Sequence, residues 1–137
     1  MIVSAQDCLT LAKTVYGEAR GESYQGQCEV AWTVINRLAS GRWYGRRNLA
    51  ETCLVPYQYS CWNPDDPNRL AMDGLTLDDS VFQVSMCAAL ASVHSIVLPH
   101  YPGMTHYFVT GTSTPEWAKG KTPEYVVGKH EFYSGIN

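Results

Sequence analysis

Tyr16-Gly17-Glu18-Ala19-Arg20-Gly21-Glu22 packs three charged residues and two glycines into seven positions. Glu18 and Glu22 are paired carboxylates, the groups that general acid and base chemistry on a glycosidic bond requires. Gly17 and Gly21 let the backbone turn where a side chain would obstruct it. The plainer alternative is a pair of solvated carboxylates at a helix end, since exposed glutamate is common. The choice depends on the elements that carry the pair.

Ser4 is a good helix N-cap, and Asp7 can close a capping box with it. Cys8, Leu9, Ala12, Val15, Tyr16 and Ala19 follow at helical spacing. The spacing predicts a first helix from Ala5 to Glu18 or just beyond, ended by Gly21. Glu18 then lies near a helix C-terminus. The helix dipole and burial both disfavour a negative charge there, which suits a general acid. Ser23 caps a second helix that Gly41 stops. Gln27, Val30, Ala31, Val34, Ile35 and Leu38 share one face, with Cys28 and Trp32 elsewhere, so this helix is expected to be central. Asn36 lies in that apolar run and needs hydrogen-bond partners if buried.

Asn48 and Glu51 predict a short capped helix through Leu54, and Tyr57 to Trp62 reads as extended. Asn63-Pro64-Asp65-Asp66-Pro67 is a turn, with a short helix expected near Asn68 to Met72. A further helix starts at Asp79 or Ser80 and runs towards His94. Met104–Thr110 and Tyr125–Tyr133 are rich in β-branched and aromatic residues, so they read as an antiparallel pair. A long loop carrying Trp117 joins them. Symmetric pairing about that loop would bring His106 and His130 together, although a slip of one residue would separate them. The fold class is therefore α+β and mainly helical, with a small antiparallel sheet in the C-terminal third.

A chain of 137 residues suits one domain, 1–137, with a sizeable core. A hydrophobic share of 45% against a charged share of 17% excludes a disordered chain. The net charge of -3 argues against nucleic acid as the main partner. Arg37, Arg42, Arg46 and Arg47 form one basic cluster, read as a solvated helix end and loop. No stretch suits a membrane span, and Met1 to Asp7 lacks a secretory pattern, so synthesis in the cytoplasm is expected. The five cysteines include no C-x-x-C pair and are expected as free thiols. Tyr57, Tyr59, Trp62, Tyr107, Trp117 and Tyr133 lie beside turns. Aromatic faces with polar edges suit sugar rings, but core packing explains Tyr57 and Tyr133 better.

The glutamate segment is followed by Gly26-Gln27 and Val34-Ile35-Asn36-Arg37. Tyr59-Ser60-Cys61-Trp62, Thr105-His106-Tyr107-Phe108, Pro115-Glu116-Trp117-Ala118 and Gly128-Lys129-His130-Glu131-Phe132-Tyr133 come later. In this order the blocks resemble the cell-wall hydrolase family of the bacterial spore cortex-lytic enzymes, whose catalytic domain phage endolysins share. The resemblance implies a lysozyme-like fold. It also implies a lytic transglycosylase that cuts the N-acetylmuramic acid to N-acetylglucosamine bond of peptidoglycan, with Glu18 as catalytic acid. Glu22, Tyr59, Ser60, Trp62, His106, Tyr107, Trp117 and His130 are the expected substrate-binding residues. The lack of a signal pattern and of a separate wall-binding region favours a compact endolysin. Such a protein would be monomeric and would act on the wall after release.

Three alternatives stay open. A two-carboxylate muramidase would use Glu22, one helical turn from Glu18 unless Gly21 breaks the helix between them. In that case Glu22 instead pairs with Arg20 or orders the loop. A zinc amidase or peptidase would draw on His94, His100, His106 and His130, but no H-E-x-x-H spacing occurs. His94 reads better as a residue at a helix C-terminus. A non-enzymatic module would grip glycan with its aromatics alone. The favoured reading needs neither metal nor cofactor, so activity on peptidoglycan should survive EDTA. Loss on chelation, with zinc recovered from the purified protein, would select the amidase.

Overall fold

The computed structural model describes all residues, Met1–Asn137. Five α-helices come first: α1 (Ala5–Ala19), α2 (Tyr24–Ser40), α3 (Leu49–Cys53), α4 (Asn68–Asp73) and α5 (Ser80–Val93). Three short strands follow: β1 (His106–Val109), β2 (Tyr125–Val127) and β3 (His130–Tyr133). The fold is mainly helical with a small antiparallel sheet, as the sequence predicts.

The helix boundaries follow their caps. Ser4 Oγ accepts from the Asp7 amide at 3.0 Å, and Asp7 Oδ2 accepts from the Ser4 amide in return. The other oxygen of Asp7 accepts from the Ala50 amide at 2.9 Å, at the start of α3. One buried carboxylate therefore ties two helix N-termini together. Its own burial pushes its pKa up, but the Ser4 and Ala50 bonds outweigh that and hold it below the usual range. Ser23, Asn48 and Asp79 cap α2, α3 and α5 in the same way. Gly41, at φ 69°, takes the left-handed conformation that ends α2.

The expectation that α2 is the central helix needs correction. It is α1 that packs against each of the other four helices. Leu11, Ala12 and Val15 of α1 are fully buried among Val30, Ala31 and Val34 of α2 and Ala88 and Ala89 of α5. Asn36 is structural, as expected: its amide donates to the Met104 carbonyl at 2.9 Å and anchors the approach to β1.

Two further expectations change. The segment before Trp62 is not extended, because Ser60–Trp62 closes a 3-10 turn. Tyr125–Tyr133 is not one strand. Gly128, at φ 56°, breaks it into the β2–β3 hairpin, giving the sheet order β1-β3-β2. The register pairs His106 with Tyr133 and Val109 with His130. Strand side chains alternate, so His106 and His130 project from opposite faces and do not meet. Tyr107 and Phe132 face the helical core. Phe108 and Tyr133 face a small second core with Trp117, Ala118 and Ile136.

Gly17 decides how closely the 3-10 turn approaches α1. A Cβ there would lie 2.6 Å from Cys61 Cβ and 2.6 Å from Met72 Sδ. Cys61 Cβ cannot move without its backbone. Gly17→Ala should therefore destabilise the fold by about 1–3 kcal/mol, the usual cost of an overpacked core. Thermal unfolding checks this, and an unchanged Tm would show that the turn can shift freely.

Candidate functional site

α1 delivers Glu18 from its last turn, and the 3-10 turn and β1 close around it. Tyr107 Oη donates to Glu18 Oε1 at 2.5 Å. The Cys61 amide donates to Oε2 at 3.1 Å, and Ser60 Oγ donates to the same oxygen at 3.3 Å. The apolar surroundings that a resting general acid suggests are absent: donors aim at both oxygens. Tyr107 lies in the inner core. Burial first, and the adjacent Glu18 carboxylate second, push its hydroxyl well above the usual tyrosine range. It therefore stays protonated and can only donate to that carboxylate.

Glu22 does something different. Its Oε1 accepts from the Lys129 amide at 2.6 Å and meets His130 Nδ1 at 3.0 Å. Its partner is His130 rather than Arg20, which lies over the Tyr16 ring. The Glu22 side chain is 11% exposed and that of His130 is 5% exposed. Burial raises the Glu22 pKa, but the Lys129 amide and then His130 outweigh it, leaving a net depression. Gly128 makes the approach possible, since a Cβ there would lie 2.4 Å from Glu22 Oε1. The α1–α2 turn is thus stapled to the β2–β3 turn.

Between these two carboxylates lies a surface hollow of about 410 Å³. The segment Gly17 to Glu22 lines it, with Asn68, Val109, Lys129 and His130. Glu18 is the carboxylate left facing the hollow without an ionic partner.

Of the expected binding residues, Glu22, Ser60, Tyr107 and His130 gather around Glu18 and its hollow. The other four lie elsewhere. Tyr59 is buried, with its hydroxyl 3.0 Å from Thr33 Oγ1. Trp62 donates its indole N–H to Thr14 Oγ1 at 2.9 Å and lines a separate hollow with Leu54 to Tyr57. His106 is wedged between Tyr44 and Trp117, 4.9 and 5.0 Å from their ring centres. Trp117 also packs on Phe108 and Tyr133. The basic cluster divides as well. Arg42, Arg46 and Arg47 are exposed, but Arg37 is buried, because Thr105 and Gln58 accept its hydrogen bonds.

No group of three or more His, Cys, Asp or Glu side chains is placed to hold a metal ion. His94 caps α5 and His100 stacks on Tyr125. The five cysteines are free thiols, and Cys28, Cys53 and Cys61 are buried. The Cys61 and Lys129 amides escape sequence reasoning because a backbone donor has no residue-type signature. The glycines beside their contacts, Gly17 and Gly128, are the nearest thing to a signal.

The site is thus a glutamate at the end of the first helix of a mainly helical domain, with a small sheet closing over it. The cell wall hydrolase model matches residues 21–133, and the chain belongs to that family. It is 29% identical over 135 residues to the spore cortex-lytic enzyme of Halalkalibacterium halodurans, covering 94% of this chain and 35% of that protein. It is 28% identical over 131 residues to the spore cortex-lytic enzyme of Bacillus subtilis, covering 94% of this chain and 38% of that one. The chain thus spans a little over a third of the length of these relatives. The fold is also that of the catalytic domain of Bacillus cereus SleB, at 24% identity and a TM-score of 0.75, over 96% of this chain and 91% of that one. The catalytic domain of the germination-specific lytic transglycosylase SleB from Bacillus anthracis superposes with a TM-score of 0.72 at 24% identity, over 95% of each chain.

The staple makes a stability prediction. Glu22 has a folded pKa below its ordinary 4.5, so its contribution is full above about pH 4.5 and is lost as pH falls through the folded value. Glu22→Gln should lower Tm at neutral pH and bring the variant and parent curves together in acid. Acid titration of Tm checks this, and a constant gap at every pH would remove the carboxylate from the explanation.

Proposed function

We propose that the protein is a peptidoglycan lytic transglycosylase that cuts the N-acetylmuramic acid to N-acetylglucosamine bond, with Glu18 as its only acid–base group. One observation carries the reading: Glu22, the other acid lining the hollow, is occupied by the Lys129 amide and His130. A hydrolase needs a second carboxylate to attack the sugar or to activate water. A transglycosylase does not.

Glu18 in its acid form gives its proton to the glycosidic oxygen, and positive charge develops on the muramic sugar. The C–O bond breaks and the leaving sugar departs with that proton. The 6-hydroxyl of the muramic residue attacks the anomeric carbon and closes a 1,6-anhydro ring. Its proton passes to the Glu18 carboxylate, which returns to its starting state. No water is consumed, and attack within one sugar gains from proximity. Tyr107, Ser60 and the Cys61 amide hold the carboxylate in place between the two transfers. The Bacillus anthracis neighbour is described as a lytic transglycosylase, which supports the same chemistry, and the spore cortex-lytic names of the relatives fit attack on a cell wall.

We further place the protein as a monomeric, endolysin-type enzyme that meets the wall after release from the cytoplasm. Membership of the cell wall hydrolase family, whose catalytic domain phage endolysins are expected to share, supports this role. Expression on the wall side of the membrane should lyse a bacterial host, and the Glu18→Gln form should not. Export without lysis would overturn the role.

Glu18→Gln keeps size and removes the transferable proton, so kcat should fall by roughly 10²-fold or more with the fold intact. Tyr107→Phe should cost about 10-fold in kcat, the worth of one hydrogen bond to a charged group. Mass spectrometry of digested peptidoglycan decides the reaction type. Products ending in 1,6-anhydro-N-acetylmuramic acid, lighter by one water than hydrolysed ends, are expected. Products carrying the full water would mean that a water is activated, and would return attention to Glu22.

A further inference from the structure

The Val34-Ile35-Asn36-Arg37 run ends in a residue to which the Glu18 chemistry assigns no task. Arg37 is only 4% exposed. Its Nε donates to the Thr105 carbonyl at 2.6 Å, and its Nη1 donates to Gln58 Oε1 at 3.2 Å. Its Nη2 has no acceptor in the protein. The guanidinium lies over the rings of Tyr59 and Tyr44, 4.8 and 5.4 Å from their centres. None of the chain's ion pairs includes it. A buried cation without a carboxylate partner is costly, and proteins normally pair one.

Arg37 also forms one wall of a second hollow, of about 350 Å³. Trp43, Tyr57, Gln58, Tyr107 and Trp117 line most of the rest, with Ile136 and Asn137 at the end of the chain, and none of these side chains is an acid. Trp43 is 59% exposed, and Tyr57, expected as a packing residue, is instead 81% exposed, so both leave large aromatic faces open to solvent. Tyr57 has a φ of 63°, a conformation that a bulky residue adopts only when its surroundings impose it. His106 borders the hollow too, but it is neutral. Burial first, and then the Arg37 charge, push its pKa down to about 3. The hollow therefore has one cation, fixed in place, among aromatic walls.

This hollow adjoins the Glu18 site. Tyr107 borders it and bonds to Glu18. Gln58 borders it, and Cys61 in the same segment donates to Glu18. Three residues of chain span at most ~11 Å, about the reach of a sugar with a short peptide attached.

We propose that the second hollow binds a carboxylate of the peptide stems borne by muramic acid, with Nη2 of Arg37 as the recognition group and the aromatics as apolar walls. The inference rests on the peptidoglycan reading above and adds a second point of contact with that substrate. A guanidinium held by Nε and Nη1 is preorganised for an anion at its remaining edge.

The test uses the full chain and a defined probe, N-acetylmuramoyl-L-alanyl-D-glutamate, with its dicarboxamide as control. Calorimetry should show the carboxylate form binding about 10-fold more tightly, as expected for one charge-assisted hydrogen bond. Arg37→Gln should erase that difference. Trp43→Ala should weaken both forms severalfold without changing Tm. If Arg37→Gln does not fold, the wild-type preference and the Trp43→Ala result decide alone. Equal binding of the two forms, or no binding of either by the wild type, overturns the inference. Cleavage of glycan strands is scored separately. Cleavage without a carboxylate preference sinks this subsite alone. The preference without cleavage sinks the reaction assignment and leaves the subsite standing.

Discussion

The close approach of the Ser60–Trp62 turn to α1 at Gly17 is the contact on which the site depends. Any side chain at that position would push Cys61 and Met72 away. With glycine there, the Cys61 amide reaches Glu18, and Trp62 reaches back to Thr14 one turn earlier on the same helix. The turn is thus pinned on both sides of the glycine. Cys61 is fully buried in this junction, where desolvation first and the Glu18 charge second push its thiol far above the usual range. It acts as a small apolar filler rather than a nucleophile.

The second constraint is the staple from Glu22 to Lys129 and His130. β3 is hydrogen-bonded on both edges, and its first residue, His130, is the one that Glu22 grips. The staple fixes the sheet against the α1–α2 turn. Because β1 pairs with β3 in a defined register, the same contact sets where Tyr107 presents its hydroxyl. Two carboxylates four residues apart therefore divide the labour. One is engaged by the Lys129 amide and His130 and positions the sheet, and the other is left facing the hollow. Their different partners separate their roles more sharply than their spacing does.

The sheet also works on two faces. Its inner face sends Tyr107 and Phe132 into the helical core. Its outer face packs Phe108 and Tyr133 with Trp117 and Ile136. Trp117 is thereby committed mainly to holding the C-terminal segment and bordering the second hollow, away from Glu18. Arg37, between two tyrosine rings, joins the end of α2 to the start of β1 through Thr105. Tyr107 stands between the two hollows, so the inner face of a single short strand borders both.

Much of this was legible in the residues. Ser4, Ser23, Asn48 and Asp79 mark the helix starts because a capping side chain acts within three residues of itself. Apolar spacing and the glycine stops locate α1 and α2 to within a residue or two, and Glu18 stands out from the blocks around it. The partners did not follow. His106 and His130 look alike in sequence, yet parity on the sheet sends them to opposite faces. Arg37 sits in a basic cluster but is buried because residues 21 and 68 positions later in the chain accept its hydrogen bonds. Local chemistry is written in neighbouring residues, so the sequence by itself determined the helices and singled out Glu18. The donors around Glu18, the bond that occupies Glu22 and the wall shared by the two hollows depend on strand register and on where two glycines make room for side chains from distant parts of the chain. Those are properties of the packed chain, and only the tertiary structure decided them.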